Sequence, residues 1–88
     1  MAYNISFRNG IEAAFETVDS QAAEKIAKKL ERVANAEWRT PGDWGYTNWT
    51  GQANGKFNWG SYRVFADIDS DNNEIVVYEA RHRENLYR

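Results

Sequence analysis

Apolar residues recur at helical spacing in two stretches of the N-terminal half. In the segment Ile11 to Val18 they fall at positions i, i+3, i+4 and i+7, which is the apolar stripe of a short helix. In the segment Asp19 to Ala34 the apolar face of a longer helix consists of Ala23, Ile26, Ala27, Leu30 and Val33. Asp19 and Ser20 are of the types that cap a helix N-terminus. The pattern predicts a helical hairpin whose apolar faces need a sheet to cover.

Strand patterns stand before and after these helices. Ile5 and Phe7, followed by the turn signal Asn9-Gly10, indicate a short opening strand. The strongest signal is the pair of segments Ser61 to Asp69 and Glu74 to Ala80, which the polar turn Ser70-Asp71-Asn72-Asn73 connects. In the first of this pair, alternation assigns one face to Tyr62, Val64, Ala66 and Ile68 and the opposite face to Arg63, Phe65 and Asp67.

The segment between Asn35 and Gly60 has a looser pattern, with turn signals separated by aromatic residues. Short strands are expected around Trp44 to Trp49 and Lys56 to Trp59. The second strand of the strong pair, rich in branched apolar residues, suits a central position in the sheet. Together these patterns predict an α+β fold in which a short N-terminal strand and a helical hairpin pack on an antiparallel β-sheet.

Length and composition narrow the class of protein. The chain has 88 residues, of which 42% are apolar and 27% charged, so we expect a single globular domain over residues 1–88. The absence of cysteine excludes a disulfide scaffold and a thiol nucleophile. No signal-peptide pattern or long apolar stretch occurs, so a cytoplasmic location without a membrane partner is expected.

An acidic stretch from Asp67 to Glu74 is the first candidate for a chemical role. Its alternating carboxylates resemble a calcium-binding loop, in which such side chains wrap a hard cation. Asn72 stands where that loop needs glycine, and Tyr78 stands where it needs a bidentate glutamate. We therefore expect a solvated turn here, with no metal and no cofactor.

The C-terminal segment is the second candidate. His82, the only histidine of the chain, lies between Arg81 and Arg83 at the end of a predicted strand, and the neighbouring strand presents Arg63. Positive neighbours favour neutral imidazole, which can accept a proton, and arginine binds phosphate oxygens with a planar fork. With Tyr87 as a stacking or proton-donating group, this set has what metal-free cleavage of RNA requires.

A family resemblance rests on the same segments. Gly60-Ser61-Tyr62-Arg63-Val64-Phe65-Ala66-Asp67-Ile68-Asp69, the apolar strand Glu74 to Tyr78, and His82-Arg83-Glu84-Asn85-Leu86-Tyr87-Arg88 resemble the closing signature of RelE/ParE-type toxins. The resemblance implies a RelE-like fold and, for the RelE branch, an endoribonuclease that cuts messenger RNA in the ribosomal A site. It also implies a cognate antitoxin as a partner, for which the tryptophans Trp38, Trp44, Trp49 and Trp59 are candidate contacts.

Roles follow from the resemblance residue by residue. Arg63, His82, Arg83 and Tyr87 match the catalytic positions, whereas Lys56 and Arg81 are expected to bind substrate. Three departures from the family pattern weigh against full activity. Asn58 and Trp59 stand where the family commonly has a basic residue, and Ser61 replaces the usual aspartate of the motif. The net charge is also -2, whereas phosphate contacts supply much of the affinity for RNA. Two alternatives stay open, a ParE-type toxin that poisons gyrase and a catalytically weakened interaction module.

Overall fold

Two helices cover one face of a five-stranded sheet in the computed structural model, which describes residues 3–36, 44–51 and 53–85. In chain order the elements are β1 (Asn4–Phe7), α1 (Ile11–Ala14), α2 (Ser20–Asn35), β2 (Tyr46–Asn48), β3 (Gly55–Trp59), β4 (Tyr62–Asp69), β5 (Glu74–His82) and a 3-10 turn (Arg83–Asn85). The strand order is β1-β5-β4-β3-β2. Strands β2 to β5 are antiparallel neighbours, and β1 lies parallel to β5. The predicted α+β arrangement is confirmed, with the parallel β1 as an addition.

Helix α2 forms for the reasons that its sequence suggests. The Asp19 carboxylate accepts a hydrogen bond from the Ala22 backbone N–H at 2.8 Å and so caps the N-terminus. The buried face consists of Ala22, Ile26, Leu30, Val33 and Ala34. Ala23 and Ala27, which were predicted on this face, are only half-buried. Among the described helices, none is long and apolar enough to span a membrane.

The first predicted helix is shorter than its apolar stripe. It ends at Ala14 rather than Val18, so the prediction is wrong for the last four residues. The Thr17 hydroxyl donates a hydrogen bond to the Ala80 carbonyl of β5 at 3.1 Å, and the β-branched residues Thr17 and Val18 disfavour helix. Ile11, expected on the buried stripe, is 54% exposed. A tertiary bond to the sheet thus replaces the last helical turn.

Strand alternation separates a core face from an open face. Val64 and Ala66 of β4 are fully buried and contribute to the core, together with Phe57, Ile75 and Val77 of the neighbouring strands. The opposite side of β4 presents Arg63, Phe65 and Asp67, as the sequence predicted. We call this side, away from the helices, the open face.

A β-bulge changes the alternation in β5. Phe65 pairs with Glu79, but the next residue, Ala66, pairs with Val77, so Tyr78 is an extra residue on β5. Up to Val77 the odd-numbered residues are buried, whereas after the bulge the buried residue is Ala80. Glu79 and Arg81 therefore lie on the open face. The strand also continues to His82, two residues beyond its predicted end.

The predicted strands of the aromatic segment are confirmed as β2 and β3. The Tyr46 hydroxyl of β2 donates a hydrogen bond to the Ala66 carbonyl at 2.6 Å, and its ring contacts Phe57 edge-on at 5.1 Å between centroids. The phenol lies directly over Gly55, where a Cβ would collide with it. Glycine at position 55 thus makes room for the tyrosine that joins β2 to β4.

The position of Tyr46 leads to a pH prediction. Burial, with a smaller contribution from the Asp67 carboxylate, raises the pKa of Tyr46 to about 12. Because the raised pKa favours the neutral phenol in the folded state, its stabilising contribution is present below pH 10, the ordinary pKa, and is lost as the pH rises through about 12. Urea denaturation across this window should show a smaller fall in the free energy of unfolding for Tyr46→Phe than for the wild type. An equal fall in both proteins would contradict the assignment to Tyr46.

Candidate functional site

A row of polar side chains crosses three strands on the open face. Asn58 of β3 pairs with Arg63 of β4, and Arg63 pairs with Arg81 of β5. Lys56 lies two residues before Asn58 on β3 and therefore shares its face. The structure thus brings three of the predicted site residues, Lys56, Arg63 and Arg81, to one side of the sheet.

The β3–β4 turn holds the Arg63 side chain. Its Nη1 donates hydrogen bonds to the carbonyls of Gly60 and Tyr62, both at 2.8 Å. Gly60 has φ 59°, a left-handed conformation that glycine adopts without strain. Since these bonds use only Nη1, the N–H groups on Nε and Nη2 are left for other acceptors. The turn therefore orients the Arg63 guanidinium through one nitrogen and leaves its other N–H groups for a ligand.

Arg81 is joined to an acidic residue of its own strand. Its Nε lies 3.1 Å from Oε1 of Glu79, and both side chains are about one-third exposed, at 34% and 39%. Glu79 was missed by the sequence analysis, which judged this strand by its apolar residues alone. The nearest signal was its spacing of two from Arg81, which places both residues on one face. This ion pair offsets part of the repulsion between Arg81 and Arg63.

An aromatic pair covers the open face beside Lys56. The Trp49 ring contacts the Phe65 ring at 5.3 Å between centroids, and Phe65 is only 7% exposed. The Lys56 ammonium lies over the Trp49 ring, 4.3 Å from its centroid, in a cation–π contact. Trp49, a candidate partner-facing tryptophan, thus forms part of the surface next to the cationic row.

His82 lies at the same strand end but alternates to the other side. It pairs with Tyr62, and their rings meet edge-on with centroids 5.2 Å apart. Its Nδ1 accepts a hydrogen bond from the Glu84 backbone N–H at 3.2 Å. A neutral imidazole that accepts at Nδ1 carries its proton at Nε2, so the available nitrogen is a donor. The structure therefore does not bring His82 onto the face that Arg63 and Arg81 share.

The remaining predicted site residues follow β5. Arg83 begins the 3-10 turn, where its backbone N–H donates to the Ser61 carbonyl at 2.7 Å, and the residue is exposed. This bond fixes the chain after His82 against the β3–β4 turn. Tyr87, predicted as catalytic, and Trp38, predicted to face a partner, lie outside the described residues.

The acidic end of the sheet has hydrogen-bonding roles of its own. Asp67 accepts from the Asn54 backbone N–H at 2.6 Å and from the Tyr78 hydroxyl at 2.7 Å, and this second bond raises the pKa of Tyr78. Asp69 accepts from the side chain and backbone of Asn72, and these bonds lower the pKa of Asp69. Within the described ranges no three histidine, cysteine or acidic side chains cluster as a metal site would need. These carboxylates tie together the loop and turn around them.

Comparisons with known proteins bear on the fold. No protein family matches the chain, and no curated protein matches it either. Among solved structures, a chain of the toxin-antitoxin complex RelBE2 from Mycobacterium tuberculosis is similar, with a TM-score of 0.73 at 11% sequence identity. The match covers 97% of this chain and 95% of that one. At so low an identity the likeness concerns the fold, and the chain has the fold of the RelE/ParE-type toxins.

Proposed function

We propose that this protein is the toxin of a type II toxin–antitoxin pair and a metal-free endoribonuclease that cuts messenger RNA in the ribosomal A site. The observation that carries the proposal is the direct cross-strand pairing of Arg63 with Arg81. Like charges at opposed positions destabilise an antiparallel pair, and the Glu79 carboxylate compensates for only one of the two. An anion bound between the guanidinium groups relieves the repulsion, and a phosphodiester is the anion that such forks fit.

The proposed chemistry divides among the residues at this end of the sheet. Arg63 and Arg81 stabilise the charge that develops on the phosphate oxygens during attack by the 2'-hydroxyl. Lys56 adds charge from the next strand, and the exposed Arg83 extends the cationic surface beyond β5. His82 lies on the other side of the sheet from Arg63 and Arg81, so it reaches the leaving 5'-oxygen only if the RNA passes around the end of the strands. Its Nε2, which carries the proton when Nδ1 accepts, suits donation to that oxygen, and the proton of the attacking 2'-hydroxyl passes to solvent water. Tyr87 keeps its proposed role of stacking on a base or donating a proton.

A partner protein is part of the same proposal. The similar structure is described as a toxin-antitoxin complex, and we propose a cognate antitoxin for this chain also. Trp49 is half-buried next to Lys56 on the open face and so borders the cationic row. An antitoxin that covers Trp49 would block the cationic row as well.

Incubation of the purified protein with ribosomes and a defined messenger RNA tests the proposal. Cleavage is expected for the wild type and should be lost in Arg63→Ala and in His82→Ala. Lys28→Ala is the matched control, because Lys28 is an exposed cation on α2 that pairs with Glu24 at 3.1 Å. The absence of cleavage by a wild-type protein with a cooperative unfolding transition would falsify the nuclease assignment.

A second candidate function is that of a catalytically weakened interaction module, and one observation favours it. The Nη1 of Arg63 is engaged with its own turn, and the Nδ1 of His82 is engaged with Glu84. Harmless expression of a folded protein in a permissive host would support this module. Gyrase-dependent DNA breaks during expression would instead support the ParE-type alternative.

A further inference from the structure

A groove lies on the helix side of the sheet, between α2 and the β3–β4 hairpin. Its volume is about 210 Å³, and it is lined by Ala22, Lys25, Ile26, Lys29, Trp59 and Tyr62. Trp59 and Tyr62 are directly paired across the hairpin, and both line the groove. Lys25 and Lys29, one helical turn apart, supply two positive charges to the same groove. The groove therefore has two aromatic residues on the hairpin side and two lysines on the helix side.

The Trp59 ring is held in a fixed plane. Its Nε1 donates a hydrogen bond to the Trp44 carbonyl at 2.8 Å. The ring stacks on Phe57 with centroids 4.7 Å apart and an angle of 29° between planes, and Phe57 is fully buried. The Lys29 ammonium lies over the Trp59 ring, 5.2 Å from its centroid. Little rotational freedom is left for this indole to lose when a ligand binds beside it.

The groove adjoins the proposed catalytic end of the sheet. Tyr62 forms part of its wall and also contacts the His82 ring edge-on. A ligand in the groove is therefore separated from His82 by one aromatic ring. Because the groove lies on the helix side and the Arg63–Arg81 pair lies on the open face, an RNA strand that occupies both sites passes around the end of the sheet at the β3–β4 turn.

We infer that the groove is a subsite for one nucleotide of single-stranded RNA, an inference that rests on the proposed function for the identity of the ligand. The base packs beside Tyr62 and takes the place of the Lys29 ammonium over the Trp59 ring, and the displaced Lys29 contacts the phosphates together with Lys25. Such pairing of an aromatic platform with a cationic groove is how proteins hold single strands with little sequence preference. A protein partner needs roughly 800 Å² of surface on each side, whereas a hollow of about 210 Å³ holds a single ring.

Titration of the isolated protein with adenosine monophosphate and with a short single-stranded RNA tests the subsite without ribosomes. The indole N–H resonance of Trp59, identified by its disappearance in Trp59→Phe, is expected to shift with both ligands. Inorganic phosphate serves as the control for binding of an anion alone. Lys25→Gln and Lys29→Gln should each weaken RNA binding roughly threefold to tenfold through loss of a phosphate contact. Lys28→Gln, on the same helix but outside the groove, should bind as the wild type does.

Four results would overturn the inference, and the fourth concerns the cleavage reaction. The first is an equal response of Trp59 to inorganic phosphate and to the nucleotide, and the second is equal weakening by Lys28→Gln and Lys29→Gln. The third is a Trp59 resonance that responds to a co-expressed partner protein but not to RNA, which would make the groove a protein docking surface. Cleavage without a Trp59 response would overturn the subsite and leave the nuclease proposal intact. A Trp59 response without cleavage would support the subsite and count against the nuclease.

Discussion

Replacement of Arg81 by glutamine is expected to lower the rate of messenger RNA cleavage roughly 100-fold to 1,000-fold, the usual loss for one donor to a developing anion. The free energy of unfolding should change by less than about 1 kcal/mol, because the ion pair with Glu79 is partly exposed. The substitution also removes the positive charge that lies opposite Arg63, and the relief of this repulsion offsets part of the lost stability. Single-turnover cleavage with saturating ribosomes, together with urea denaturation, measures the two quantities.

Arg8→Gln is the matched control for this prediction. Arg8 lies at the other edge of the sheet, where its guanidinium is 5.9 Å from the centroid of the Tyr78 ring. The control should leave cleavage unchanged. A parallel loss of stability and cleavage in Arg81→Gln would show that Arg81 supports the fold rather than the reaction.

Replacement of Phe57 by alanine is expected to lower the free energy of unfolding by about 3 to 5 kcal/mol. Phe57 of β3 is completely buried in the core, and its ring contacts both Tyr46 and Trp59. Its loss would leave a cavity between β3 and α2 and would remove the support of both aromatic neighbours. For a domain of 88 residues, a loss of this size lowers the melting temperature by roughly 15 to 30 °C.

Phe57→Leu provides the comparison for the cavity effect. Leucine keeps most of the buried volume, so this variant should lose only about 1.5 kcal/mol. Differential scanning calorimetry of the three proteins measures the difference. Equal destabilisation by leucine and alanine would mean that the ring contacts, and not the cavity, dominate the contribution of Phe57.

The elements with strong period-two or capped helical patterns were predictable from the sequence. Asp19 marks the start of α2 in the sequence, and alternation in β4 assigns Val64 and Arg63 to opposite faces, as the structure has them. The end of α1 was not predictable in this way. The bond from Thr17 to Ala80 joins residues 63 positions apart, and no local pattern contains it.

The candidate site was predictable in its residue types and only partly in its arrangement. The sequence identified Arg63, Arg81 and His82 as neighbours at one strand end, and the register places them there. The sequence could not tell which of them share a face, because the bulge at Tyr78 changes the alternation just before the motif. Glu79 was missed for another reason, because the strand was judged by its apolar residues alone.

The bulge at Tyr78 determines which functional groups β5 presents to a substrate. Without Tyr78 the strand would keep a two-residue rhythm, and Arg81 would remain on the open face opposite Arg63. If the strand kept Tyr78 but paired with β4 without a bulge, Glu79 and Arg81 would turn toward the hydrophobic interior and His82 would turn to the open face. Two homologous chains with the same C-terminal motif can therefore present different functional groups, depending on whether this strand is bulged.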